Sequence, residues 1–168
     1  MRHNEMVRRV KKAVVFKGTI LSENQAVGAS GLRPDLVATV GNTLFIIVVT
    51  IPFGNRRGAF QQASERKIQK YSSLIPFFNS LGYEAVEIVL IILDALGTWD
   101  PNNDKFLRTV ATKRYPKTMK KLCVSDTIKW SRDIYIQHLT GKQQYGRTDA
   151  ALPAGAESPA SLAQKEIP

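Results

Sequence analysis

The chain has 168 residues, of which 24 are lysine or arginine and 14 are aspartate or glutamate, for a net charge of +10 at neutral pH. That length suits one domain with its own core, and a hydrophobic content of 43% supports a globular body. The basic excess favours a polyanion partner, nucleic acid ahead of a membrane surface, over the plainer alternative of a solvated basic face.

Cys123 is the single cysteine, which rules out a disulfide within the chain and makes a reducing, intracellular compartment the default. His3 and His138 are the only histidines, too few for a Cys/His zinc site. Residues 1–12 are polar and basic and lack the apolar block of a signal peptide. The longest apolar run, residues 44–53, is too short to span a bilayer, so no membrane partner is expected.

In chain order, residues 4–15 read as a basic amphipathic helix whose apolar side is Met6, Val7, Val10 and Val14. Residues 15–21 suit a strand, and residues 22–32, with two glycines and small polar residues, a loop. A short strand at 36–40 is followed by the turn pair Gly41-Asn42. Residues 44–51 are apolar on both faces, which predicts a central, doubly covered strand that Pro52 ends. A basic loop at 54–58 leads into one long helix over 58–81, with Phe60, Ala63, Tyr71, Leu74 and Phe78 on its apolar face. Gly82 stops that helix, and residues 85–93 form a third buried strand. Helices at 104–111 and 117–140 follow, the second with a candidate break near Ser125, where Ser125 or Asp126 could cap the last segment. Ile128, Trp130, Ile134, Tyr135 and Leu139 are expected to supply packing contacts there. From residue 146 the chain is Ala-, Pro-, Gly- and Ser-rich without periodicity and reads as a disordered tail, which leaves a domain at 1–145. Strand, strand, long helix and strand make a mixed α/β sandwich with a crossover connection.

Lys67 falls on the apolar stripe of the long helix, with Lys70 beside it. A lysine facing a core costs free energy unless an anion meets it. Asp35, in Arg33-Pro34-Asp35 at the start of a strand, is the candidate partner. A carboxylate at a strand start and a lysine on the helix after the next strand is a layout that serves metal-dependent phosphodiester hydrolysis. There the acid holds a divalent ion, and the cation orients water or meets developing charge. Two alternatives stay open: Asp35 as a turn acid, and Lys67 as a side chain that snorkels to solvent.

The chain resembles the restriction-like endonuclease domain of site-specific non-LTR retrotransposons, a branch of the PD-(D/E)XK nucleases. The matching pieces are Arg2-His3-Asn4, Arg33-Pro34-Asp35-Leu36-Val37, Val49-Thr50-Ile51-Pro52-Phe53, Ala59-Phe60 and Lys67-Ile68-Gln69-Lys70-Tyr71. They continue with residues 95–100 (Ala-Leu-Gly-Thr-Trp-Asp), 125–132 (Ser-Asp-Thr-Ile-Lys-Trp-Ser-Arg) and 134–141 (Ile-Tyr-Ile-Gln-His-Leu-Thr-Gly), and cover roughly residues 1–145. The resemblance implies a restriction-endonuclease-like core, a mixed central sheet flanked by helices, with a C-terminal helical extension. It implies a domain that follows a reverse transcriptase in a polyprotein and nicks target DNA with Mg²⁺ in the nucleus to prime reverse transcription. Carried onto this sequence, Asp35 is a metal ligand, Lys67 the catalytic lysine, Lys70 and Tyr71 supporting catalytic residues, and Glu23 the further upstream acid.

One departure bears on activity. The family has an acid in its central strand, in Asp-Val-Thr, where this chain has Val48-Val49-Thr50. Valine offers no oxygen to Mg²⁺. The expectation is a degenerate nuclease, with a non-catalytic module that binds DNA or RNA, or docks to the reverse transcriptase, as the alternative. Glu65 or Glu87 is the candidate for a displaced acid. Nucleic-acid contacts are expected from Arg56, Arg57, Lys113, Arg114, Lys117, Lys120 and Lys121, with Arg8, Arg9, Lys11 and Lys12 on the first helix as further phosphate-contacting candidates. Trp99, Trp130 and Tyr135 are read as packing residues and Cys123 as an apolar filler, while His138 suits a helix end. His3 recurs in the resemblance without an evident physical role.

Overall fold

Helix α1 (Arg2–Val14) lays Met6, Val7, Val10, Ala13 and Val14 on a buried face. These positions repeat at three- and four-residue steps, the spacing that aligns side chains on one side of a helix. A computed structural model of the chain describes residues 2–52, 58–112 and 114–142, so the expected tail at 146–168 lies outside the described residues.

The centre is a mixed four-stranded sheet in the order β1 (Gly18–Glu23), β2 (Leu36–Val40), β3 (Thr43–Thr50), β4 (Ala85–Ile92). The first three strands form an antiparallel meander, and β4 runs parallel to β3. Gly41, at φ +58°, takes the tight turn that pairs Val40 with Thr43. The parallel return is carried by α2 (Ala59–Ser72) and α3 (Leu74–Ser80), which supply the crossover that a parallel pair needs. Helices α4 (Asn103–Val110) and α5 (Tyr115–Thr140) complete the fold. The expected α/β architecture, a mixed sheet flanked by helices with a C-terminal helical extension, is the one observed.

Each face of the sheet has its own apolar cluster. Leu36, Phe45, Ile47, Val49 and Ile91 pack against α1, α4 and the first half of α5. Val37, Leu44, Ile46 and Val48 pack against Tyr71, Leu74 and Phe78 of α2 and α3. Burial on both faces accounts for the unbroken apolar run of β3, as its composition predicts.

Four expectations need correction. The helix expected to run unbroken over 58–81 is two helices that meet at Ser73. Pro76 has no N–H to donate, and its ring excludes the carbonyl one turn back, so the α2 ladder cannot run through it. The first strand begins at Gly18 rather than residue 15, because Val15, Phe16 and Lys17 still donate backbone hydrogen bonds to α1 carbonyls. It ends on Glu23, which is therefore a strand residue rather than a loop residue. Helix α5 is continuous through Ser125, and Asp126 does not cap but accepts from Arg9 of α1 at 2.5 and 2.8 Å. Beyond that point Ile134, Tyr135 and Leu139 are exposed rather than packed, Ile128 is exposed on one side with its side chain against Gly97, and Trp130 is half-buried. Trp99 and Cys123 are buried, in keeping with packing roles. The side chains of Phe60 and Ala63 lie outside the described residues.

Candidate active site at the end of the β2–β3 ladder

The paired register of β2 and β3 sets Leu36 opposite Ile47. That pair is the last of the ladder: Asp35 and Pro34 precede β2, while Val48 and Val49 continue β3. The chain leaves the sheet there, and Pro34 has no N–H to offer a carbonyl, so among the described residues Val49 has no backbone partner on that side. Two side chains take its place. The Val49 N–H donates to Asp35 Oδ2 at 2.7 Å, and His3 Nε2 stands 3.2 Å from the Val49 carbonyl. His3 Nε2 is also 3.3 Å from Asp35 Oδ1. The hydrogen bond to Asp35 raises the His3 pKa above its ordinary value, against partial burial, which lowers it. His3, without a role from sequence, thus closes the open end of the ladder together with Asp35.

Three other features converge here. The Asp35 carbonyl accepts from the Asn24 N–H at 3.0 Å, just past the end of β1. The Tyr71 hydroxyl donates to the Arg33 carbonyl at 3.0 Å, which ties α2 to the segment that leads into β2. Burial, then the nearby Asp35 charge, raises the Tyr71 pKa. A cleft of about 450 Å³ opens between α1 and the ladder end, lined by His3, Asn4, Val7, Glu23, Asn24 and Asp35.

The residues proposed from sequence are therefore only partly assembled. Asp35 and Glu23 share the cleft, though Glu23 is already paired with Lys11. Tyr71 lies beside Asp35 through Arg33, and the Lys70 ammonium sits 5.5 Å from the Tyr71 ring centroid. Lys67 is half-buried, one turn before Tyr71, while its neighbours from Glu65 to Lys70 are exposed. Val48 is 1% exposed and packs in the α2-side cluster with Tyr71 and Leu74.

The two candidate replacement acids are elsewhere. Glu87 is in register with Phe45 and lies on the opposite face from Val48. Glu65 is on the exposed side of α2, accepting from Gln61 at 3.1 Å. Among the described residues no group of three or more His, Cys, Asp or Glu side chains gathers as a metal site. The donor set does not fit Mg²⁺ as it stands. The ion takes several hard oxygens, yet the Asp35 oxygens are engaged by Val49 and His3, Glu23 by Lys11, and position 48 offers none.

A second region carries the basic residues. Lys117, Lys120 and Lys121 are exposed on α5 and, with Val124, Ser125 and Ile128, line a groove of about 620 Å³. Lys120 sits 5.8 Å from the Trp99 ring centroid. Arg114 is exposed at the start of this helix. Arg56, Arg57 and Lys113 lie outside the described residues. Three of the α1 cations are engaged in ion pairs, while Lys12 is exposed. Arg8 is paired with Glu5, Arg9 with Asp126 and Lys11 with Glu23. None of the described helices is long and apolar enough to cross a membrane.

The fold and the ladder-end cluster define an α/β domain compatible with a restriction-endonuclease-like core, carrying one strand-leading carboxylate. No family model matches the chain. It is similar to the Retrovirus-related Pol polyprotein from type-1 retrotransposable element R2 of Popillia japonica, at 24% identity over 133 residues. The match covers 76% of this chain but spans only 27% of that relative. This likeness supports a retrotransposon-related origin.

Proposed function

We propose that the chain is an endonuclease-type domain of a non-LTR retrotransposon polyprotein whose ancestral chemistry was Mg²⁺-dependent target nicking, in a form that holds nucleic acid but cleaves it slowly or not at all. The observation that carries this reading is the place of Asp35, directly before the last β2–β3 pair, Leu36 with Ile47, with its carboxylate on the Val49 N–H. Continued by one step, that register brings position 48 next to Asp35, and because the Asp35 carbonyl turns toward β1 the two would meet as a non-hydrogen-bonded antiparallel pair, in which side chains lie closest. An acid at position 48 would stand within a few ångströms of Asp35, where two carboxylates could share one divalent ion. With valine there, the second ligand is missing and the first is held by the ladder end.

Binding does not need that ligand. The exposed cations of α5, together with Arg56, Arg57 and Lys113, are the candidate phosphate contacts, and the net charge of +10 suits a polyanion. DNA is the expected partner, with RNA and the reverse transcriptase portion of the same polyprotein as further candidates. A nuclear location follows from the same reading.

Nicking of supercoiled plasmid in Mg²⁺ tests the chemistry, and a mobility-shift titration across salt tests the binding. The expected outcome is little or no nicking with salt-sensitive retention of DNA. Efficient nicking that survives Asp35→Ala would show that the site is elsewhere, and affinity indifferent to salt would remove the phosphate contacts.

A further inference from the structure

The sheet has two edges, and they differ. At the β1 edge the ladder is interrupted by a bulge between Ile20 and Ser22. Bulges, prolines and inward charges are devices that stop an edge strand from pairing with another chain. Strand β4, Ala-Val-Glu-Ile-Val-Leu-Ile-Ile, pairs with β3 without any register shift and contains no proline and a single charge, Glu87. Among the described residues no strand lies beyond it.

The outward groups can be assigned from the far end of β4. Ile92 receives there a side-chain imitation of a strand: the Asn103 amide accepts from its N–H at 2.9 Å and donates to its carbonyl at 2.7 Å. The next residue, Leu93, instead donates inward to Thr50 of β3. Backbone groups alternate in direction along a strand, so Leu90, Ile88 and Val86 share the outward orientation of Ile92. Asn103 satisfies the last of these positions, and among the described residues the other three have no outward partner. Alongside them runs a groove of about 520 Å³, whose walls include Ile68 of α2, Ile88 and Leu90 of β4, and Lys105 and Phe106 of α4.

We infer that this edge pairs with β4 of a second copy of the chain, antiparallel about a two-fold axis at Ile88. That axis sets Ile88 against Ile88 and Val86 against Leu90, so every outward residue meets an outward residue and apolar side chains meet apolar side chains. The one charged residue argues for this occupant. The axis keeps the two Glu87 side chains from facing each other and puts each beside Val89 of the other copy. Glu87 and Val89 are on the α4 face of the sheet, where Lys105 lines the same groove. Each carboxylate therefore approaches the partner's Lys105, and the strand is complementary to itself in both shape and charge. A two-fold contact of this kind is closed, so it ends at a dimer and does not propagate into a fibre.

Analytical ultracentrifugation of the chain tests the assignment. The unchanged protein is expected to dimerise reversibly. Ile88→Lys, which brings two ammonium groups face to face, is expected to be monomeric. Glu87→Lys should weaken the dimer by about tenfold, from two symmetry-related exposed ion pairs, and Glu87→Lys combined with Lys105→Glu should recover most of the loss. Because Glu87 and Lys105 are exposed, this exchange keeps the test alive if Ile88→Lys fails to fold. Ile88→Cys should cross-link to itself on mild oxidation, since directly paired strand positions lie at disulfide-compatible separation. Cys123 is buried and stays out of that reaction. A chain that remains monomeric, or a dimer that neither the charge exchange nor Ile88→Cys affects, overturns the proposal.

Discussion

Asp35 and Val49 are joined at the open end of the β2–β3 ladder, where the Asp35 carboxylate accepts from the Val49 N–H at 2.7 Å, just beyond the last pair of the two strands. Asp35 has a structural task there, while Val48, the preceding residue of β3, is packed into the α2-side core.

Restoring the acid is predicted to have opposite effects with and without metal. Val48→Asp puts a carboxylate in an apolar cluster and should cost about 3 kcal/mol of stability in a chelator. Mg²⁺ should recover part of that loss, seen as a rise in Tm that the unchanged chain does not show. Plasmid nicking should become measurable in the same variant. A Val48→Asp protein indifferent to Mg²⁺ in both assays would rule out shared ligation with Asp35.

The His3–Asp35 contact predicts a pH dependence of known sign. The folded-state pKa of His3 is raised, chiefly by its hydrogen bond to Asp35. Its contribution is therefore complete below the unfolded value of about 6.5 and fades as pH rises through the folded value. The stability gap between the unchanged chain and His3→Ala should be widest in mildly acidic buffer and narrow toward alkaline pH. Chemical denaturation at several pH values reads it directly, and a gap that widened with pH would contradict the pairing.

Tyr71→Phe removes only the hydroxyl that holds the Arg33 carbonyl. A loss of about 1 kcal/mol is expected in urea unfolding, the ordinary value of one such hydrogen bond. No change at all would mean that α2 is not tied to the β2 lead segment by this contact.

Cys123 has no solvent exposure, and burial pushes its thiol up to about 12. A thiol kept protonated and covered is a poor nucleophile. Native protein should resist a disulfide reagent for as long as it stays folded, and denatured protein should react at once. Rapid labelling of the native state would mean that this turn of α5 does not stay packed against the core.

Reversing Lys117, Lys120 and Lys121 to glutamate should weaken DNA binding strongly and flatten its salt dependence. Each lysine that contacts a phosphate should remove about one from the log–log slope. A comparison of slopes by fluorescence anisotropy checks this, and an unchanged slope would assign these lysines to solvent.

Local chemistry made much of the architecture legible in the sequence. The doubly apolar run of β3, the turn at Gly41-Asn42 and the crossover into β4 follow from periodicity, glycine geometry and handed connection. Lys67 could be placed on a half-buried stripe for the same reason, because helical spacing is a property of neighbours in the chain. The partner of His3 could not be found that way. It lies 32 positions along the chain, and its need for a donor arises only where Pro34 ends a ladder that exists once three strands have met. The exposure of Tyr135 and Leu139 was likewise hidden, since an apolar residue on a helix is buried only if another element arrives to cover it. Spacing along the chain decides which side chains share a face; what that face meets, and which backbone groups are left for side chains to satisfy, is decided by distant segments when they pack.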